Sequence, residues 1–295
     1  MLNRDEQLTP KDVVKLYKDG IWKAFELYLF QLYVLLKVAQ YAEKDAEKRA
    51  SKHLPTDEDK KFSPRLSQND CTKSLANHTE FAKLAKKYKV SENIDEDHIK
   101  SLYNLFVDTP EYKEYLELEN PDVKDHSKAL LNLYRTLAAS DLFSDMSEDR
   151  YTNWADDDSL VSGAMKKTLK AMPLEGKFYE EHEPSDETVL EFGEELLTKT
   201  CEEDAALFSD IEPTLKNWDA DRVAILDMVM LKMALCELLH FPTIPTKVTL
   251  NEFVEISKTY STDKSKEFIN GILDRLMKEL LDKGRIVKEG RGLQE

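Results

Sequence analysis

Apolar residues recur at spacings of three and four along nearly the whole 295-residue chain, which is the period of an amphipathic helix and not of a strand. Phe25, Tyr28, Leu29, Leu32, Leu36 and Ala39 form the first stripe. It predicts a helix that runs to about Ser51 and stops before Leu54-Pro55. Phe268, Ile269, Ile272, Leu273, Leu276, Met277, Leu280 and Leu281 form the last stripe, with Gly284 placed to end it. Between them, Arg222 to Leu239 is apolar on almost every side, the pattern of a central, buried helix. With Gly 8 and Pro 10 in the chain, there are too few turn-formers for a many-stranded sheet with tight hairpins. The expected fold class is all-α.

Shorter helices are expected at about 70–89, 95–107, 110–118, 123–140 and 156–171, punctuated by Pro110, Pro121 and Pro173. Residues 55–69 read as a loop. The stretch 173–186 combines two prolines, a glycine and several acids, and reads as a linker, after which Ser185 is placed to cap a helix over 186–203. Thr249 with Glu252 three residues on has the form of a capping box for a later helix. The resulting division is an N-terminal helical region 1–172, acidic in its second half, a linker 173–185, a C-terminal helical bundle 186–282 and a mobile tail 283–295.

The net charge is -16, which argues against a surface coated for nucleic acid, since phosphate binding is supplied by Lys and Arg. The acidity is local, however. Residues 91–212 carry 11 basic and 32 acidic groups, whereas 66–90 carry 5 and 2, and 213–295 carry 13 of each. Cys71, Cys201 and Cys236 are far apart and odd in number, so no disulfide framework is expected, and the reducing cytoplasm is the expected compartment. Asp5, Glu6 and Asp12 come too early for a cleavable signal peptide. The segment 21–42 contains Lys23, Glu26, Gln31 and Lys37, which makes it a buried amphipathic helix in preference to a membrane span.

No catalytic constellation stands out. The six histidines show no metal-ligand spacing, there is no glycine-rich phosphate loop, and no GxSxG motif is present. No cofactor or metal is therefore expected. Asp156, Asp157 and Asp158 read as a solvated helix start. Asp227 and Glu237 read as helix-edge carboxylates paired with Arg222 or Lys232. A different chemistry gathers at 258–270. Lys258, Tyr260, Lys264 and Lys266 surround a short connection between two helices, and ammonium groups beside an aromatic ring and helix-terminal amides suit a phosphate and a stacked base. The alternative is a solvated loop with Tyr260 tucked into the core. Phe268 heads the core stripe, and packing accounts for it. Gly271 inside a helix points to close helix packing, with Asn270 beside it placed to cap a neighbouring loop or touch a ligand.

The segment 217–281 carries an ordered series of motifs: Glu237-Leu238 ending an apolar helix, Pro245, Lys247-Val248, Leu250-Asn251-Glu252, Glu255-Ile256-Ser257-Lys258, Ser265, and Phe268-Ile269-Asn270-Gly271-Ile272-Leu273-Asp274. The series resembles the C-terminal half of the NusB family of transcription antitermination factors. The length of the chain and the LPTDED sequence at 54–59 look like the extended, Bacteroidetes-type members. The resemblance implies an all-helical, non-enzymatic protein of two packed helical bundles that acts in the cytoplasm. It implies pairing with the small-subunit ribosomal protein called NusE, binding of the boxA element of nascent ribosomal RNA, and entry into an RNA polymerase antitermination complex.

One departure matters. Family members begin with an Arg-rich first helix, whereas here Arg4 stands alone and is followed by Asp5 and Glu6. Each lost phosphate contact weakens RNA binding. The departure motivates a second reading, an adaptor of the same fold that keeps NusE and has lost RNA. A third, the accessory domain of an RNA methyltransferase, finds no cofactor motif after residue 282 to support it.

Overall fold

Thr9, Pro10 and Asp12 start the first helix. The Thr9 amide donates to the Asp12 carboxylate at 2.9 Å, the Asp12 amide donates back to the Thr9 hydroxyl at 3.4 Å, and proline at the first helical position loses no hydrogen bond. This helix, α1 (Pro10–Ala50), is 41 residues long and starts well before the apolar stripe that predicts it. The structure is a computed structural model and describes residues 9–152, 154–215, 223–261 and 265–293. Among the described residues every regular element is helical, as the periodicity demands.

The chain divides into two units, one of residues 19–184 and one formed by the described residues before 19 and from 185 onward. In the first unit, α1 is followed by α2 (Asp57–Lys61), α3 (Arg65–Gln68), α4 (Asp70–Ala76), α5 (Thr79–Lys87), α6 (Glu96–Val107), α7 (Pro110–Glu117), α8 (Val123–Ala138), α9 (Asp141–Glu148) and α10 (Trp154–Lys170). The helix expected at 70–89 is two helices, because Asn77 ends α4 and the His78 ring accepts the Phe81 amide to open α5. Between Ala24 and Ala42, α1 is buried nearly all round. Gln31, in that run, accepts the Tyr134 hydroxyl at 3.0 Å, so its burial is satisfied. Among the described residues no helix is long and apolar enough to cross a membrane.

The second unit contains a π-helical stretch Glu187–Glu194 leading into α11 (Glu195–Glu202), then α12 (Asp204–Ile211), α13 (Ile225–His240), α14 (Thr246–Tyr260) and α15 (Ser265–Asp282). The start of α1 belongs here: the Tyr17 hydroxyl donates to the Val189 carbonyl at 3.3 Å, and Lys18 pairs with Glu194 at 2.8 Å. Leu231, Ala234, Leu235 and Leu238 of α13 are fully buried, and Ile269, Leu273 and Leu276 of α15 pack with them.

Three boundaries differ from expectation. The expected N-terminal region is not one piece, since its described residues 9–18 group with the C-terminal bundle. The stretch 173–184 is no free linker: Leu174 and Tyr179 join the core of the first unit, and the Leu174 amide donates to Ser74 Oγ at 2.9 Å. Nor is 283–293 a loose tail. Arg285 makes a two-pronged pair with Asp210 at 2.6 and 2.8 Å, Ile286 is 6% exposed in the core, and the Glu289 amide donates to the Pro242 carbonyl at 3.0 Å. The apolar side chains in each segment gain more from burial than the short chain loses in ordering. Gly292 lies so close to the turn after α13 that a Cβ there would sit 1.9 Å from the Pro242 carbonyl oxygen, which explains a glycine at that place.

The LPTDED sequence has a mechanical role. Thr56 and Asp59 cap α2 reciprocally, amide to side chain, at 2.9 and 3.1 Å. The Asp59 carboxylate also takes Lys52 at 2.8 Å and Arg49 at 3.4 Å from the end of α1 and the residues after it. The Lys52 hydrogen bond, with the Thr56 amide, holds Asp59 well below the usual carboxylate range. A depressed folded pKa gives stability that is present above the unfolded value, about 4, and lost as pH falls below it. Asp59→Asn should therefore lower the melting temperature at pH 7 and flatten its fall in acid, measured by thermal unfolding from pH 7 down to pH 3.

Candidate nucleic-acid interface

α13 carries one carboxylate in its first turn, Asp227, and it is 5% exposed. A buried carboxylate needs hydrogen-bond donors. Ser261 donates to Asp227 Oδ1 at 2.5 Å, Ser265 donates to Oδ2 at 2.8 Å, and the two hydroxyls are themselves 2.8 Å apart. Ser261 follows the last residue of α14 and Ser265 is the first of α15. One carboxylate thus joins the start of α13, the end of α14 and the start of α15.

The expected pairing with Lys232 does not form: Lys232 bonds Asp204 at 2.5 Å instead. The expected pairing with Arg222 lies outside the described residues. Glu237 is also buried, at 6% exposed, and burial raises its pKa while the Lys288 ammonium pulls the other way. The capping-box reading of Thr249 fails as well. α14 starts at Thr246, directly after Pro245, so Thr249 lies inside the helix and is fully buried. Proline fixes the backbone entry to α14, and the Val248 and Thr249 amides bond the Pro245 carbonyl.

Four of the expected site residues, Lys258, Tyr260, Lys266 and Asn270, lie on α14 and α15 to either side of the connection. Tyr260, the last residue of α14, is 44% exposed, so its ring is not tucked into the core. Lys258 is exposed two residues earlier and pairs with Glu255 on its own helix. Lys266 and Asn270 are both exposed on α15 and, four residues apart, share one face of it. Phe268 points the other way and packs against the C-terminal core. Gly271 is exposed, and an added Cβ would meet nothing within 4 Å, so close helix packing does not explain it. Lys264 and Arg4 lie outside the described residues. Sequence reasoning missed Asp227 as the organiser of this end. The available signal was an acidic residue in the first turn of an otherwise apolar helix, with serines flanking a later four-residue interval.

Such a site offers ammonium, amide and aromatic groups on helix ends. Among the described residues no group of three or more His, Cys, Asp and Glu is arranged to hold a metal ion. The NusB family profile matches residues 135–278, a span that begins within α8 and ends within α15. Curated relatives named transcription antitermination protein NusB agree with it. The one from Salinibacter ruber is 40% identical over 108 residues, 37% of this chain and 68% of the relative. The one from Geobacter sulfurreducens is 37% identical over 115 residues, 39% of this chain and 83% of the relative. The one from Chloroherpeton thalassium is 48% identical over 77 residues, 26% of this chain and 36% of the relative. No solved structure matches. The chain belongs to the NusB family.

The pin has a measurable energetic consequence. Asp227→Ala removes the acceptor for the Ser261 and Ser265 hydroxyls and should cost about 2 kcal/mol of stability in chemical denaturation. Asp227→Asn, which keeps an acceptor of the same shape, should cost less.

Proposed function

We propose that this protein is a transcription antitermination factor that pairs with the ribosomal protein NusE and binds boxA-type RNA of nascent ribosomal transcripts within an RNA polymerase complex. It acts by binding, in the cytoplasm, and carries out no catalysis. The observation that supports this reading most directly is the pinned end of α13–α15, where the ordered family motifs converge and Tyr260, Lys258 and Lys266 stand exposed. Lys266 and Lys258 supply charge to phosphates, Tyr260 supplies a face for a base, and Asn270 supplies polar contact. The exposed Gly271 beside it leaves the backbone of α15 open to close approach. Lys264 and Arg4 add charge to the same reading.

The test is fluorescence anisotropy of a boxA RNA, with and without NusE, over a salt series. Lys258→Ala and Lys266→Ala should each weaken binding and lower the salt slope by about one. Tyr260→Ala should weaken it about tenfold while Tyr260→Phe keeps most of the affinity, since stacking needs the ring and not the hydroxyl. Binding with no preference for boxA and no dependence on NusE would sink the proposal.

A second reading has its own support. The described start of α1 carries Lys11, Lys15 and Lys18 but no arginine, and Lys18 is already paired with Glu194. An adaptor that keeps NusE and has lost RNA would co-purify with NusE and give no anisotropy change with boxA RNA.

A further inference from the structure

The unit of residues 19–184 holds a cleft of about 280 Å³ between α1 and the segment leading into α6. Its α1 wall is Tyr33, Lys37, Gln40, Tyr41 and Lys44, spaced so that the half-exposed face of the helix forms one continuous strip. The Lys37 ammonium stands 5.2 Å from the centre of the Tyr33 ring and Lys44 stands 5.9 Å from that of Tyr41. Lys37 also donates to Gln40 Oε1 at 3.3 Å. The opposite wall contributes the apolar Ile94 and one carboxylate, Glu96, which pairs with Lys44.

A second aromatic cluster lies nearer the N-terminal end of α1, separated from the cleft by the buried Phe25, Leu29 and Phe30. Trp22 lies eleven residues before Tyr33, three turns away. Its ring stacks on Tyr88, with centroids 6.4 Å apart and planes at 23°. Lys87 lies over both rings, at 6.0 and 4.6 Å. Lys23 and Lys89 are exposed beside this pair in sequence. The carboxylates that act on these cations are Glu183, near Lys87, and Glu26, near Lys23. Lys87, Tyr88 and Lys89 lie in the segment 66–90, whose charge is +3, whereas Ser91, Ile94, Glu96 and Ile99 of the cleft belong to the acidic segment 91–212.

Rings alternating with ammonium groups, Tyr33, Lys37, Tyr41 and Lys44 along the cleft and Lys87 over the Trp22–Tyr88 stack, match one chemistry best. An acidic peptide has use for the lysines but not for four aromatic rings, whereas a single-stranded nucleic acid uses both, bases on rings and phosphates on ammonium groups. We propose that these two clusters of the first unit, the Tyr33–Lys44 cleft and the Trp22–Tyr88 stack, are a second RNA-contacting surface that takes unpaired nucleotides flanking boxA. The proposal rests on the reading of the chain as an RNA-binding antitermination factor, and adds to it a contact outside the pinned α13–α15 end.

The experiment compares two RNAs by fluorescence anisotropy with the full chain and NusE: boxA alone, and boxA with its flanking single-stranded leader. Lys37→Ala and Tyr41→Ala should each weaken the long RNA several-fold and leave boxA alone unchanged, and Tyr41→Phe should bind like the parent. Lys37 is half-exposed, so its variant reports even where Tyr41→Ala unfolds, which a melting curve detects. Equal affinity of parent and variants for the long RNA overturns this inference and leaves the boxA reading intact. Failure of the parent to bind either RNA overturns the boxA reading. Restoration of free protein by a polyglutamate peptide as effectively as by competitor RNA would make the surface an acidic-peptide site and also overturn the inference.

Discussion

A single carboxylate organises the end of the molecule on which the functional reading stands. Asp227 sits in the first turn of an apolar helix, where a charge has no cheap alternative to being hydrogen-bonded. Its two oxygens take the hydroxyls that bracket the α14–α15 connection. That arrangement fixes where α14 stops and α15 begins, and it leaves Tyr260 and Lys266 outside the core. Loss of the pin would free the connection and blur the placement of every group on it. The bundle beneath it, Leu231, Leu235, Ile269 and Leu273, supplies the rigid support that such a site needs.

The distribution of charge gives the acidic composition a different meaning from the one a net value suggests. An excess of 21 acidic groups lies within residues 91–212, where there are 32 acidic and 11 basic groups. The C-terminal stretch 213–295 is balanced at 13 of each. Repulsion from the acidic region discourages RNA from settling anywhere at random. On the proposed reading, the short basic and aromatic surfaces at the end of α14, the start of α15 and the half-exposed side of α1 are where an unpaired strand would meet favourable groups. Affinity built in this way is modest per site and gains from a partner or a second contact.

The helical class and the long apolar helices were legible because a 3.6-residue period survives any tertiary context. The family signal was legible for a related reason: its motifs lie on three consecutive helices in fixed order. What escaped was set by contacts between distant residues. Ser261 and Ser265 meet Asp227 from more than thirty positions away. Thr249 and Glu252 have the spacing of a cap, but Pro245 starts α14 a turn earlier and takes Thr249 into the core. The tail looked free because its few apolar residues carry no period, yet Ile286 alone, with Gly292 against Pro242, is enough to hold it down. Asn270-Gly271 has the composition of a packed helix crossing, but the space around it is open.

The role proposed for the pinned end of α13–α15 is contact with boxA RNA. Hydrogen exchange of the full chain, alone and with boxA RNA and NusE, tests it most directly. The account predicts that the ternary complex slows exchange across residues 256–270, with smaller changes in the buried centre of α13. Protection confined to other segments, with 256–270 exchanging as in the free protein, would contradict it.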